Sequence, residues 1–365
     1  MPRRLLLLGA GPAHLRVLAA FARHPLPSAE VALLAPDAQA VPPALLPDFV
    51  AAHRDVLQCR VDTAALAAAA GATWVHARVE RFDAASRQVT LSDGRVFDAD
   101  LVSIDEPGEV DRDALPGARE LAIALHPAAS FVVLFGALLA LAEEKPLDLV
   151  VIGGGVPPLE LALALSERLG GWGGRGSPPE RARMAWVAGP DGLLPGWPAA
   201  ARRAAASALV RARIAVFHEP CRALQPGAAV LASGARLACD AAVLATPPQP
   251  PAWLSKCGLA LDDAGALVVT DHLHTAAHPA VFGPGPAAGV AVVDLATQLR
   301  QAVAAAPLRP VTSHSPSLRW LRIGRGRAAV VWGQLAMTGL VPGAWRLHRL
   351  GPVAGLAAHA VSRPA

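Results

Sequence analysis

The sequence predicts an α/β protein built of two similar halves, each a parallel sheet carrying an antiparallel meander, followed by a small C-terminal α+β region. Three observations carry that prediction. Two short apolar runs, in "RRLLLLGAG" and "LDLVVIGGG", end in glycines and lead into apolar residues at helical spacing. Each unit is followed by short Val- and Thr-rich or alternating segments separated by Asp, Gly and Ser turns. The whole order then recurs, so the duplication is at the scale of a domain.

The elements follow in chain order. Leu5 to Leu8 form a fully apolar strand of the kind buried on both faces of a parallel sheet. Gly9 and Gly11 come next, and Leu15, Leu18 and Phe21 mark one face of a helix. "AEVALLAP" at 29–36 is the second strand and completes a βαβ unit. Residues 72–105 read as a meander turning at "DAASR" and "SDGR" and returning to the sheet at "ADLVSID". Residues 121–142 are apolar for nearly the length of a bilayer crossing. His126 and Pro127 divide them into a strand-like and a helix-like piece, so a buried helix is expected and no transmembrane segment.

The second unit begins at "LDLVVIGGG", continues through the helix "LELALALSERL", and reaches the strand "RMAWVAG" at 183–189. "GGWGGRGSPP" between them reads as a loop. Another helix and strand lie in "LLPGWPAAARRAAASALVRARIAVF", and residues 222–246 repeat the meander and closing strand.

Both glycine loops have the layout of a dinucleotide phosphate site. There the first glycine makes a tight turn, the second admits the pyrophosphate, and a helix N-terminus faces its charge. Two such Rossmann-like halves suit a chain that binds two dinucleotides. In the first loop, Pro12 is tolerated because a first-turn proline gives up an N–H that has no helical partner. His14 takes the third small-residue position and reads equally as a packing residue or as a cofactor contact. The acid that usually ends the second strand is Ala35 here, with Asp37 two residues on as a ribose ligand or an ordinary turn aspartate. In the second loop Gly153 and Gly155 are in place, but Pro157 and Pro158 remove two N–H donors. Glu160 reads as a first-turn acid, either a helix-start charge or a group facing a nicotinamide.

Composition excludes several classes. The net charge is +4 over 365 residues, too mild for a nucleic-acid partner, and the arginines of "RWLRIGRGR" at 319–327 read as a solvated strand or loop. Cys59, Cys221, Cys239 and Cys257 have no CxxC or Cys/His spacing. No metal site and no redox dithiol is therefore expected, and a cytoplasmic setting suits them. "MPRRLLLLGAG" has too short an apolar run for a signal peptide. Residues 344–361 mix Trp, Leu and Arg, but Gly351 and Pro352 break any long amphipathic helix, leaving peripheral membrane contact weakly supported.

Over almost its whole length the chain resembles the pyridine nucleotide-disulfide oxidoreductase superfamily, in its type II NADH dehydrogenase-like group. More narrowly it looks like the oxidoreductase domain fused to selenide, water dikinase. The likeness rests on "GAGPAHLRVLAAFARHPLP", "PALLPDFVA", "LPGARELAIALHP", "GGGVPPLELALAL", "GLLPGWP", "AHPAVFGPG" and "VVWGQLAMTG". It implies FAD in the first half, NAD or NADP in the second, and a small-molecule, quinone-like electron acceptor. Residues 1–108 with 258–305 would form the FAD-binding-like domain, 109–257 the NAD(P)-binding-like domain and 306–365 the C-terminal region. Gly9, Gly11, Pro12, His14, Asp37 and Gly285 would lie along the flavin nucleotide. Gly153, Gly155 and Glu160 would lie on the nicotinamide side, with Glu160 catalytic. The chain departs from the pattern at Pro286, where the acid of a Gly-Asp pair is expected, at Pro247, and at Glu106 and Pro107 after "LVSID". Two readings follow: an FAD-dependent NAD(P)H oxidoreductase, or a non-catalytic relative that keeps the two-Rossmann fold, has lost tight FAD and NAD binding, and acts as a binding or regulatory module.

Overall fold

The computed structural model describes residues 2–170, 181–263, 265–284, 292–311 and 318–340. Two five-stranded parallel sheets organise them. The first runs in the order Val281–Phe282, Leu101–Ile104, Arg3–Leu8, Ala29–Ala35, Ala72–His76. The second runs Ala122–Ala124, Ala241–Leu244, Leu147–Ile152, Ala182–Val187, Ile214–Phe217. Matched position by position, the glycine-loop strand is central in each and the strand after the meander lies on one side of it. The duplication seen in the sequence is therefore a duplication of topology, and the fold is the two-half α/β arrangement expected.

Strand alternation explains the layers. In Arg3–Leu8, Leu5 and Leu7 pack with Leu15, Leu18 and Phe21 of the helix Pro12–Arg23, and with Leu295 and Leu299 of the helix Val292–Val303. Leu6 and Leu8 point to the other face, against Phe82, Val89 and Leu91 of the meander. The second half repeats this. Leu149 and Val151 face the helices, while Val150 and Ile152 face Leu224, Ala229 and Leu231. Burial on both faces favours apolar side chains throughout, which is why Leu5 to Leu8 and Leu149 to Ile152 are continuous apolar runs.

The meanders are Val79–Asp83, Gln88–Leu91 and Val96–Asp98 in the first half, and Cys221–Gln225, Ala228–Leu231 and Arg236–Ala238 in the second. The apolar stretch near 121–142 divides as its His-Pro pair predicts, into the strand Ala122–Ala124 and the helix Ala128–Glu144. Among the described residues, no helix is long and apolar enough to cross a membrane. A three-stranded antiparallel sheet, Arg319–Arg322, Ala328–Trp332 and Leu335–Gly339, follows the second half.

One reading of the sequence needs correction here. The arginines of 319–327 are not all solvated, since Arg322 is buried and paired with Asp48 and Glu167, and Arg319 stacks on Trp197 at 4.5 Å. The loop 171–180, Gly285 with Pro286, and 344–361 lie outside the described residues.

Candidate functional site

The first glycine loop is shaped by the segment that crosses it. Gly9 has φ +89°, and its N–H donates to the Leu34 carbonyl at 2.9 Å. A Cβ on Gly9 would lie 2.3 Å from Glu106 Cα, and one on Gly11 would lie 2.4 Å from the Asp105 carbonyl oxygen. The Gly11 N–H donates to that same carbonyl at 2.8 Å. Glycine is required at both positions because the end of the strand Leu101–Ile104 runs directly over the turn.

Asp105 does more than pass by. Its carboxylate Oδ2 accepts from the N–H of Ala13 at 2.7 Å and of His14 at 2.9 Å, the second and third residues of the helix Pro12–Arg23. These are orphan donors at the positive end of the helix dipole, so a carboxylate is strongly favoured there. Sequence reasoning missed Asp105. The one available signal was an acid where the closing strand ends beside the glycine loop.

His14 is fully buried. Its Nδ1 lies 2.7 Å from the Gly9 carbonyl, which can only accept, so Nδ1 carries the proton. Its Nε2, at 2.8 Å, then accepts from the Ser103 hydroxyl. Burial lowers its pKa, outweighing the nearby Asp105 charge, and the ring stays neutral. The imidazole braces the turn against the neighbouring strand. It does not line the cavity described next.

A cavity of about 290 Å³ opens beside this loop, at the C-terminal ends of the first sheet's central strands. Gly9, Ala10, Pro12 and Asp37 form one side of it. Val41, Pro42, Pro43, Pro127 and Ala128 give it a mostly apolar wall. Arg78, Glu106 and Glu109 bring charge to the rim. Glu106 is pushed up to about 7 by burial, against the opposing effects of its hydrogen bond from Trp253 Nε1 (3.0 Å) and the Arg78 charge. The cavity thus gathers Gly9, Pro12 and Asp37 from the residues expected at the flavin nucleotide, while Gly11 lies beneath Asp105.

The second loop also turns on a glycine of positive φ, but its second glycine and its helix start differ from those of the first. Gly153 has φ +138°, its N–H donates to the Val187 carbonyl at 3.0 Å, and its carbonyl accepts from Trp186 Nε1 at 2.8 Å. Gly155, at φ +90°, precedes the helix Val156–Leu169. Pro157 and Pro158 are its second and third residues, the positions of Ala13 and His14 in the first helix. Where the first helix has its donors engaged, the second lacks them.

Glu160 is the fifth helical residue, not a first-turn acid, and it is buried. Its carboxylate accepts from the Arg322 backbone N–H, turning it toward the C-terminal sheet. Nearby, Arg322 Nε lies 3.4 Å from Asp48, and its guanidinium also bonds Glu167. Burial raises the Glu167 carboxyl's pKa, but the His53 hydrogen bond at 2.9 Å, the Arg322 charge and the Arg325 N–H bring it down to about 2. This charged cluster ties the helix Leu46–Val50, the helix Val156–Leu169 and the C-terminal sheet together.

The four cysteines are free thiols, three of them buried. Burial pushes Cys59 up to about 11 and Cys239 to about 12, which makes poor nucleophiles. Among the described residues, no three His, Cys, Asp or Glu side chains come together as a metal site.

The family model for pyridine nucleotide-disulphide oxidoreductase matches residues 3–307. NADH dehydrogenase-like proteins from two strains of Mycobacterium tuberculosis are each 28% identical over 253 residues, covering 66% of this chain and 61% of theirs. The chain therefore spans 61% of the length of these curated relatives. Its fold is similar to that of the sulfide:quinone oxidoreductase of Aquifex aeolicus, with TM-score 0.80 at 14% identity, covering 100% of this chain and 93% of that one. It is also similar to NDH2 of Plasmodium falciparum in complex with NADH, with TM-score 0.75 at 9% identity, covering 99% and 96%.

Proposed function

The chain belongs to the pyridine nucleotide-disulphide oxidoreductase family, and from that premise we propose an NADH dehydrogenase-like NAD(P)H oxidoreductase. In this reading FAD occupies the first half, NAD or NADP the second, and the acceptor is a small quinone-like molecule. The observation that carries it is the cavity beside Gly9, at the strand ends where open α/β sheets bind ligands. When bound, a flavin supplies a ring that accepts a hydride and passes the electrons on.

The chain's own residues divide the work. Gly9 turns the backbone so that Ala10 and Pro12 border the cavity, and Asp37 would accept from ribose hydroxyls at its rim. The apolar wall of Val41, Pro42, Pro43 and Pro127 keeps water from a planar ring. Glu106, raised to about 7 by burial, would take up and release a proton at its carboxyl near neutral pH. Glu160 enters as a positioning residue that fixes the second helix against the C-terminal sheet. Turn, rim and apolar wall fit a dinucleotide, and only the phosphate seat is filled, by Asp105.

Residues 1–108 with 258–305 are assigned to the flavin half, 109–257 to the nicotinamide half and 306–365 to the C-terminal region. The pairing of Val281–Phe282 with Leu101–Ile104 supports the discontinuous first half. The four free thiols support a cytoplasmic setting.

Reconstitution tests this directly. Purified full-length protein given FAD should retain the flavin absorption bands after desalting and bleach with NADH or NADPH. Protein that takes up no FAD ends the reading. A second reading, a non-catalytic relative serving as a binding module, is favoured by Pro157 and Pro158 in the nicotinamide-side helix. It expects a stable apo-protein that has lost tight FAD and nicotinamide binding, so that it unfolds cooperatively but keeps no flavin after desalting.

A further inference from the structure

We propose that Asp105 is a built-in occupant of the phosphate seat in the first half, so that a dinucleotide binds only by displacing its carboxylate. The proposal rests on the reading that the cavity beside Gly9 takes FAD. Every donor at the first turn of the helix Pro12–Arg23 is already engaged. Pro12 has no N–H, Ala13 and His14 donate to Asp105 Oδ2, and Leu15 donates to the Gly11 carbonyl. A phosphate oxygen at this helix end would need the same two N–H groups, and two anions cannot share them.

The arrangement is built in from both sides of the contact. Gly11 makes room for it, since a Cβ there would lie 2.5 Å from Asp105 Oδ1. The Asp105 main chain is fixed by its N–H to the Leu8 carbonyl at 2.9 Å and by its carbonyl to the Gly11 N–H at 2.8 Å. Displacement therefore requires only that the side chain rotate, with the backbone left in place. The adjoining cavity gives a ligand its approach, since Gly9, Ala10 and Pro12 line it. Without ligand the helix is capped by its own chain; with ligand, that cap must be given up.

This makes stability and affinity move in opposite directions. Asp105→Ala removes a cap, so it lowers the stability of the apo-protein, and it frees two N–H donors, so it raises affinity for the phosphates. A residue that served only as a cap would lower stability without raising affinity.

The experiment compares wild type, Asp105→Ala and Asp105→Asn as full-length proteins, titrated with FAD by flavin fluorescence quenching, with thermal midpoints taken with and without FAD. Asp105→Asn keeps the shape and one acceptor but loses the charge, and it carries the test if the alanine variant does not fold. The expected result is a lower apo midpoint for Asp105→Ala and FAD binding at least about tenfold tighter than wild type, with Asp105→Asn between. If wild type binds FAD and neither variant binds it more tightly, the proposal is overturned while the flavin reading stands. If none of the three binds millimolar FAD although all unfold cooperatively, both fall together.

Discussion

Glu160, five residues into the helix Val156–Leu169, accepts a hydrogen bond from the backbone N–H of Arg322. This contact joins the helix to the first strand of the C-terminal sheet. Glu160→Ala should leave a buried N–H without its acceptor and cost about 1–3 kcal/mol. Glu160→Gln keeps an acceptor oxygen and should cost less. Urea denaturation of the two variants checks the order, and equal stability for Glu160→Ala and wild type would show that this contact carries no weight.

Arg322 itself should be far less replaceable. Its guanidinium, almost wholly buried, faces Asp48, which is equally buried, and Glu167. Arg322→Met takes the guanidinium charge from buried Asp48 and leaves Glu167 with His53 and the Arg325 N–H, for which about 3–5 kcal/mol is expected. Arg322→Lys keeps the charge but loses the planar fork that reaches both acids, so an intermediate loss is expected. Adding Asp48→Asn to Arg322→Met should recover part of the stability, because a buried charge is gone. Failure of the double variant to recover any would refute the electrostatic account.

Two carboxyls should give stability a pH dependence of opposite sign. Glu167 sits at about 2 against an ordinary 4.5, so the unfolded chain takes up its proton first. Its stabilisation is present above pH 4.5 and drains away as pH falls toward 2. Glu106 sits at about 7 against the same 4.5, so the folded chain keeps a proton that the unfolded chain releases. Stability should therefore fall as pH rises from 4.5 to 7, by something on the order of 2 kcal/mol. Glu167→Gln should flatten the acid limb, and Glu106→Gln the limb between 4.5 and 7. Denaturation midpoints across pH 2–8 test both, and an unchanged slope in either variant assigns that limb to other groups.

The parts of this molecule legible in sequence are those set by near neighbours. Leu5 and Leu7 against Leu6 and Leu8 follow from strand alternation, the helix after Pro127 from a proline at its start, and the glycine turns from strand and helix on either side. What escaped were pairings across the chain. Asp105 lies 92 residues from Ala13, and nothing local distinguishes a strand-end acid that turns inward from one that faces water. Arg322 belongs to a run of arginines whose composition signals solvent, yet the acids that bury it come from two distant helices. Glu160 was misplaced for a smaller reason: the prolines at 157 and 158 lie inside the helix, so it starts at Val156 and carries the acid past its first turn.

The two glycines of the second loop should differ in what they tolerate. Gly153 and Gly155 both have positive φ, +138° and +90°, so a side chain at either is strained. Their surroundings are unlike. A Cβ on Gly153 would lie 2.5 Å from the Ala245 carbonyl oxygen, at the end of the strand Ala241–Leu244 that pairs with Leu147–Ile152. One on Gly155 would meet nothing within 4 Å. Gly155→Ala should therefore cost only its backbone strain, about 1–2 kcal/mol. Gly153→Ala adds a collision with backbone, which can be relieved only by parting two paired strands, and should cost about 3 kcal/mol or more. Urea unfolding of the two variants in one buffer decides the matter. Equal losses would mean that the strand ends yield, and that Gly153 is needed only for its dihedral angle.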